Sequence, residues 1–366
     1  MSEDLSLKQA NQFLLFGILT TSVLYFAKVV LIPLTFAAFF AMLFSSPSNK
    51  MEKAGIKRIF SALISTFILV VVVCGIAWMV VLQCKALSNE FPVIEKKYQS
   101  SAASIHEFLT DRFGISAVKQ KEIIEQQIKS MGEKFGQVLQ YVLSGIVGLL
   151  ASSVLILIFT FLFLLQREKY EAFFMQAVKH KTPEDAKKAI EKISKVSQKY
   201  LTGRALSILF FTILFTLGFL IVGLKNAFLL AFIAALLTIV PYVGSIVGGL
   251  FPFFVALATE DSIATAIGAL VVIGIIQGID NYFIEPYIIG GEVNISGFFT
   301  ILILFIGGII WGVAGMILFL PMLGIVKIIC DTLPQLNPYG YLIGDQEQEK
   351  QSTRLLNKIK KLFSKK

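Results

Sequence analysis

Long apolar runs follow one another along the chain, each ending at a short polar or basic stretch. The first, "FLLFGILTTSVLYFA" over 13–27, is separated only by Lys28 from "VVLIPLTFAAFFAMLFSS" over 29–46. The pair predicts a tight hairpin of two helices, with Lys28 extending its ammonium toward the headgroups. Further apolar runs cover 59–83, 140–166 and about 205–223. Runs of about 20 residues, rising 1.5 Å per residue, match a hydrocarbon core about 30 Å thick.

The segments between the runs have a different period. In 85–138, "SIHEFLTDRFG" and "VKQKEIIEQQIKSMGEKFGQVLQYV" carry apolar residues every three or four positions and predict amphipathic helices. Eight basic and seven acidic side chains balance there, which suits an extracytoplasmic module. In 167–204, ten basic residues outnumber five acidic ones, and Ala186, Ile190, Ile193, Val196 and Leu201 form one apolar stripe. That bias, like Lys50, Lys53, Lys57 and Arg58 in the earlier turn, predicts the cytoplasmic side.

From 226 to 257 the chain is apolar without charge but contains "TIVPYVGSIVGGLFP". A single helix of that length would be about 48 Å long, so the segment is expected to break. Pro241 removes a backbone donor, while Gly244, Gly248 and Gly249 permit a turn or close contact. Two more apolar runs, about 263–283 and 298–325, flank "IDNYFIEPYIIGGEVNISGFF".

The expectation is therefore an all-α polytopic membrane protein with about eight transmembrane helices and additional amphipathic soluble helices. Its regions would be 1–84 with three spans, 85–138 as the outer module, 139–166 as the fourth span, 167–204 as a cytoplasmic amphipathic segment, 205–330 as a transport core with a broken helix, and 331–366 as a basic cytoplasmic tail. Both termini are then expected in the cytoplasm, with the protein in the inner membrane.

Composition agrees with this pattern and removes other classes. The chain of 366 residues is 56% hydrophobic and only 16% charged, with a mean hydropathy of +0.77. A soluble domain usually carries about 25% charged residues. The net charge of +9 sits in segments bordering apolar runs, so it favours membrane orientation and lipid over nucleic acid. Cys74, Cys84 and Cys330 are far apart and only His106 and His180 are present, so neither a metal centre nor a cofactor is expected. No GxxxxGK[ST] sequence occurs, which argues against ATP hydrolysis by this chain.

Candidate chemistry gathers around the 277–294 junction. Asp280 and Glu285 beside membrane-length apolar runs would need a proton, a cation or donors to offset desolvation. Asn281, Gln277 and Asn294 offer donors and acceptors to a small polar substrate or to exposed backbone. Pro241, Gly244, Gly248, Gly249, Pro286 and Gly290 are the candidates for the break and hinge. Gly307, Gly308, Gly312 and Gly315 in "GGIIWGVAG" are candidates for helix packing, between spans or between the subunits of a homo-oligomer.

"VPYVGSIVGGLFP", "DNYFIEPYIIGGEVNISGF" and "GGIIWGVAGMILFLP" resemble the AI-2E family of membrane permeases. The resemblance covers most of 10–335 and is most specific from 200 onward. It matches Pro241, Gly244 and Gly249 to the family's Pro-Gly motif, and Glu285, Pro286 and Gly290 to its Pro-centred junction. Gly308, Gly312, Gly315 and Pro321 match its last-span pattern. Glu292 and Gly297 stand where members often carry a basic residue and a proline. The resemblance implies about eight transmembrane helices and either export of autoinducer-2 or efflux of sodium or lithium against protons.

The expected function is secondary transport of a small polar metabolite or signal, with autoinducer-2-like export coupled to a proton or sodium gradient as one form. The alternatives are a monovalent cation/proton antiporter and a membrane scaffold that recruits proteins or lipids. No enzyme constellation is visible.

Overall fold

The computed structural model describes residues 7–113, 117–177, 183–240, 243–260, 262–280 and 295–345. Among the described residues the structure is all-α. The helices run in the order α1 (Leu7–Phe26), α2 (Lys28–Lys53), α3 (Arg58–Phe113), α4 (Ala117–Leu165), α5 (Arg167–Ala177), α6 (Pro183–Ile221), α7 (Ala227–Leu237), α8 (Val243–Thr259), α9 (Ile263–Ile279), α10 (Gly297–Trp311), α11 (Val313–Thr332) and α12 (Asn337–Ile343). A 3-10 turn at Pro334–Leu336 precedes the last helix.

Five helical stretches among these are long and apolar enough to cross a membrane: Lys28–Lys53, Arg58–Ala86, Gln140–Leu165, Lys187–Ile221 and Val313–Thr332. This corrects the expected count of about eight. The remaining apolar helices, Leu14–Phe26, Ala227–Leu237, Ile246–Leu257, Ile263–Ile279 and Gly297–Trp311, are 10–17 residues long. Even 17 residues give only about 26 Å of rise, short of a hydrocarbon core of about 30 Å.

Local chemistry sets these shorter lengths. Ser262 and Ser296 cap α9 and α10, each side-chain oxygen accepting from a first-turn backbone N–H. Gly312 adopts φ 62°, a conformation few side chains tolerate, and turns the chain between α10 and α11. The apolar run 298–325, expected as one span, is therefore a helical hairpin. Similarly, the run 226–257 is divided between α7 and α8. Most of the 85–138 segment lies in the continuations of α3 to Phe113 and of α4 from Ala117.

The chain divides into two compact units. One consists of Met1–Thr66, Leu155–Ala205 and Asn281–Lys366; the other consists of Phe67–Val154 and Leu206–Asp280. Their sequence boundaries fall inside α3, α4 and α6.

The first unit packs α2, α10 and α11 through Phe39, Ile310, Trp311, Leu318 and Phe319. Trp311 stands edge-on to Phe319, with ring centroids 5.1 Å apart. A second cluster places Ala41, Ala62 and Leu164 together, small residues allowing α2 and α3 to approach. In the second unit, Phe211, Phe215 and Phe219 succeed one another along α6 with ring centroids 6.2 and 5.6 Å apart.

Outside these cores, large apolar side chains are exposed to an extent unlike a water-soluble protein. Phe26, Phe67, Trp78, Ile221 and Ile309 are exposed, whereas Ser48, Ser61, Thr160 and Ser197 are fully buried. Apolar exteriors face hydrocarbon at no solvation cost, while buried hydroxyls need acceptors. Thr160 donates to Ile156 O at 2.6 Å and Ser197 to Ile193 O at 2.9 Å, using the helix's own carbonyls. The protein is a multi-pass membrane protein.

Candidate functional site

The expected site divides between described and undescribed residues. Pro241, Asn281, Glu285, Pro286, Gly290 and Asn294 lie outside the described residues. Asp280 and Gln277 lie at the end of α9. Asp280 is 9% exposed and its backbone N–H bonds Ile276 O and Gln277 O, closing the helix. Gln277 is half-buried. The structure thus places a carboxylate-bearing residue inside the protein at the edge of an apolar helix, where its desolvation is costly.

The elements around α9 are held close by glycine. A methyl group at Gly248 would lie 2.7 Å from Ala234 O, and one at Gly249 would lie 2.9 Å from Ile273 Cγ2. Gly244 faces the backbone of Leu237 even more closely. One glycine-bearing helix, α8, is therefore packed against α7 on one side and α9 on the other. Gly218 and Gly268 make room for Val272 and Val222 between α6 and α9. At the rim of this group, Glu260 is buried and its Oε1 accepts from the Lys225 backbone N–H at 2.8 Å. That bond ties the turn after α6 to the end of α8.

In the first unit, Gly307 and Gly315 meet across the α10–α11 hairpin; a methyl at Gly307 would stand 2.6 Å from Gly315 O. Gly308 leaves space for the Met316 side chain. These glycines form contacts within one chain.

Three polar groupings in the first unit escaped the sequence reading. At one end, Glu52 binds Arg167 at 2.6 Å and Arg58 at 3.6 Å, while Arg58 also binds Glu168. Arg167 donates to Ser48 Oγ at 3.1 Å, and Ser48 Oγ lies 2.6 Å from Ser61 Oγ. The Arg58 guanidinium bonded to Glu168 holds that exposed carboxyl below its ordinary value. In α11, the buried Lys327 binds Asp331 at 2.7 Å.

The third grouping lies on α6. Tyr200 is buried and donates its hydroxyl proton to Ile317 O at 3.1 Å. Arg204, one turn later, is 9% exposed, lies within hydrogen-bonding reach of the Tyr200 hydroxyl, and has a buried Nε with no acceptor among the described residues. The only sequence signal was a basic residue four positions after a tyrosine, at the mouth of an apolar run. That pattern also fits a side chain reaching for headgroups, and burial alone separates the two cases.

Comparison with known proteins decides the class, because the model of the "AI-2E family transporter" matches residues 14–335. The chain belongs to the AI-2E transporter family. Two relatives come from Bacillus subtilis. YueF is 28% identical over 208 residues, 56% of each chain, and YrrI is 22% identical over 312 residues, 82% of this chain and 86% of its own. PerM of Escherichia coli is 25% identical over 326 residues, 85% of this chain and 90% of its own. The chain thus spans about half of YueF but most of the other two. The names of these relatives go no further than a provisional transport or permease role. AI-2E family transporters are permeases rather than enzymes, and transport is the general function of this one.

Proposed function

We propose that this AI-2E family transporter is a secondary permease for a small polar metabolite or signal, driven by a proton or sodium gradient. The observation that supports it most is the interruption between α7 and α8, inside an apolar stretch that also packs on α9, the helix ending at buried Asp280. Interrupted helices at membrane depth leave carbonyls and helix ends to meet a solute or ion, and they persist only where protein or a polar cavity covers them. A carboxylate carried there can bind a proton or sodium ion in one conformation and release it when hydration changes. Export of an autoinducer-2-like signal is the form suggested by the family resemblance. The end of the first unit bearing Lys50, Lys53, Arg58 and Arg167 is assigned to the cytoplasm by its basic excess.

The second reading is monovalent cation/proton exchange, and buried Asp280 is the observation that favours it. In that case the ion itself is the cargo. The Gly307–Gly315 contact occupies these glycines within one hairpin, so homo-oligomer formation is proposed only through other surfaces.

Flux across proteoliposomes with imposed proton and sodium gradients separates these readings, with autoinducer-2 as one probe and ions alone as the other. Gradient-driven signal flux lost in Asp280→Asn and Glu285→Gln supports the permease. Ion exchange without signal flux supports the antiporter. Undiminished gradient-driven flux in both folded variants removes the carboxylates from the coupling role.

A further inference from the structure

We propose that Arg204 and Tyr200 form a binding site for an anionic oxygen group, a carboxylate or a phosphate, within the membrane-embedded part of the protein. The inference deepens the permease reading by giving its solute a charge class, and only the link to cargo rests on that reading. The binding site itself rests on the burial and partners of two side chains.

Arg204 lies within the candidate span Lys187–Ile221. An arginine at the start of an apolar run ordinarily lays its stem along the helix and extends its head to water or headgroups. Arg204 does not, for it is 9% exposed and its Nε is sealed from solvent with no acceptor among the described residues. Placing an ion in a protein interior costs several kcal/mol unless a counter-charge and hydrogen bonds offset it.

Three other bases of the first unit that are buried or half-buried have that counter-charge, while half-buried Lys28 stands over the Tyr25 ring, 4.6 Å from its centroid. Arg167 binds Glu52, Arg58 binds Glu52 and Glu168, and Lys327 binds Asp331. Arg204 has no carboxylate partner among the described residues, and its neighbour Tyr200 supplies a neutral phenol. The Tyr200 proton is engaged by Ile317 O at 3.1 Å, which leaves the phenol oxygen to accept from Arg204 and holds the ring in place. One edge of the guanidinium is thereby oriented while Nε remains unmatched.

A neutral hydroxyl or carbonyl on a ligand would satisfy the Nε hydrogen but leave the charge uncompensated. An oxyanion does both, because a planar guanidinium presents parallel donors that fit carboxylate and phosphate oxygens. The site therefore selects an anionic group over a cation, which Arg204 would repel. Ser197, Tyr200 and Arg204 follow at intervals of three and four residues on one buried face of α6. Ser197 already donates to Ile193 O at 2.9 Å, so the anion-binding role falls on the latter two.

Thermal unfolding of the purified full chain tests the site without requiring flux. Inorganic phosphate and acetate are titrated at ionic strength matched with chloride. In parallel, the protein is placed in nanodiscs of phosphatidylcholine with or without phosphatidylglycerol. A saturable rise in Tm with phosphate or acetate, weakened at least about tenfold in Arg204→Gln and less in Arg204→Lys and Tyr200→Phe, supports a site for a soluble anion. A rise confined to phosphatidylglycerol and lost in the same variants supports the site with a lipid headgroup as its occupant. If Arg204→Gln does not fold, Arg204→Lys and Tyr200→Phe carry the comparison. Equal responses in wild type and the folded variants, or no response to either soluble anion or lipid, overturn the proposal. An Arg204-dependent response from a protein that moves no solute refutes the permease reading and leaves the site standing.

Discussion

Glu52 Oε2 lies 2.6 Å from Arg167 Nη2, although 115 residues separate the two in sequence. The same carboxylate oxygen lies 3.6 Å from Arg58 Nε, and Arg167 also reaches Ser48. One acidic side chain therefore joins the end of α2 to the starts of α3 and α5, all within the first unit. Both members of the central pair retain about one-fifth of their side-chain exposure, at 19% and 20%. The pair is more than a surface contact and less than a fully desolvated one, so its removal has a measurable but moderate cost.

Glu52→Gln keeps the shape and removes the charge, leaving Arg167 and Arg58 without that partner. Destabilisation of about 1.5–3 kcal/mol is expected, the range for hydrogen bonds to charged groups. A double-mutant cycle with Arg167→Met, read by thermal unfolding in detergent, should give a coupling of about 1 kcal/mol or more. Strict additivity would show that the contact contributes nothing.

The Arg58–Glu168 pair predicts a pH dependence. Its carboxyl sits below the ordinary value of 4.5 in the folded protein. A depressed carboxyl contributes stability that is fully present above the unfolded value and lost as pH falls through the folded one. Comparing Tm for the wild type and Glu168→Gln from neutral pH downward should show a difference that shrinks below about pH 4.5. The group is exposed, so the difference should also decrease in high salt. A gap that persists unchanged at low pH would contradict this linkage.

Gly315→Ala should be damaging because the added methyl meets the Gly307 backbone across the α10–α11 hairpin, and backbone cannot rotate away. A loss of about 1–3 kcal/mol is expected from overpacking. Gly145→Ala is the control, since nothing lies within 4 Å of its added methyl and alanine favours the helix by about 1 kcal/mol. Unfolding of the two variants in parallel would expose an error if both behaved alike.

Trp311 Nε1 donates to Leu24 O at 2.9 Å, satisfying a carbonyl near the end of α1 while its ring packs on Phe319. Trp311→Phe retains an aromatic ring and removes the donor. It should cost about 1 kcal/mol, with looser protection of the end of α1 in hydrogen exchange. Unchanged exchange around 24–28 would mean that the bond does not restrain that end.

The helical class and the location of apolar segments were legible because a 20-residue apolar run has few alternatives to a bilayer. The number of spans was not, because mean apolarity does not register where a helix stops. Gly312 turns within a run that reads as continuous, and Ser296 caps its first half. The result is a 15-residue helix followed by a 20-residue one where a single span had been expected.

The candidate site was legible only at its acidic and glycine-rich residues. Asp280 and Gln277 stand out beside apolar neighbours, and Gly244, Gly248 and Gly249 stand out by their spacing. Arg58, Arg167 and Arg204 look alike in sequence, as basic residues flanking apolar runs. Two of them find carboxylates and the third is buried without one among the described residues.

By itself, the sequence determined that this chain lives in a membrane, that it is helical and that it carries the AI-2E transporter pattern. Those properties depend on hydrophobic length and local motif, both of which are additive along the chain. Tertiary structure decided which of its polar groups lose water and which partners they meet. Desolvation and pairing depend on what other segments bring alongside, and nothing about Arg204 or Glu52 considered alone carries that information.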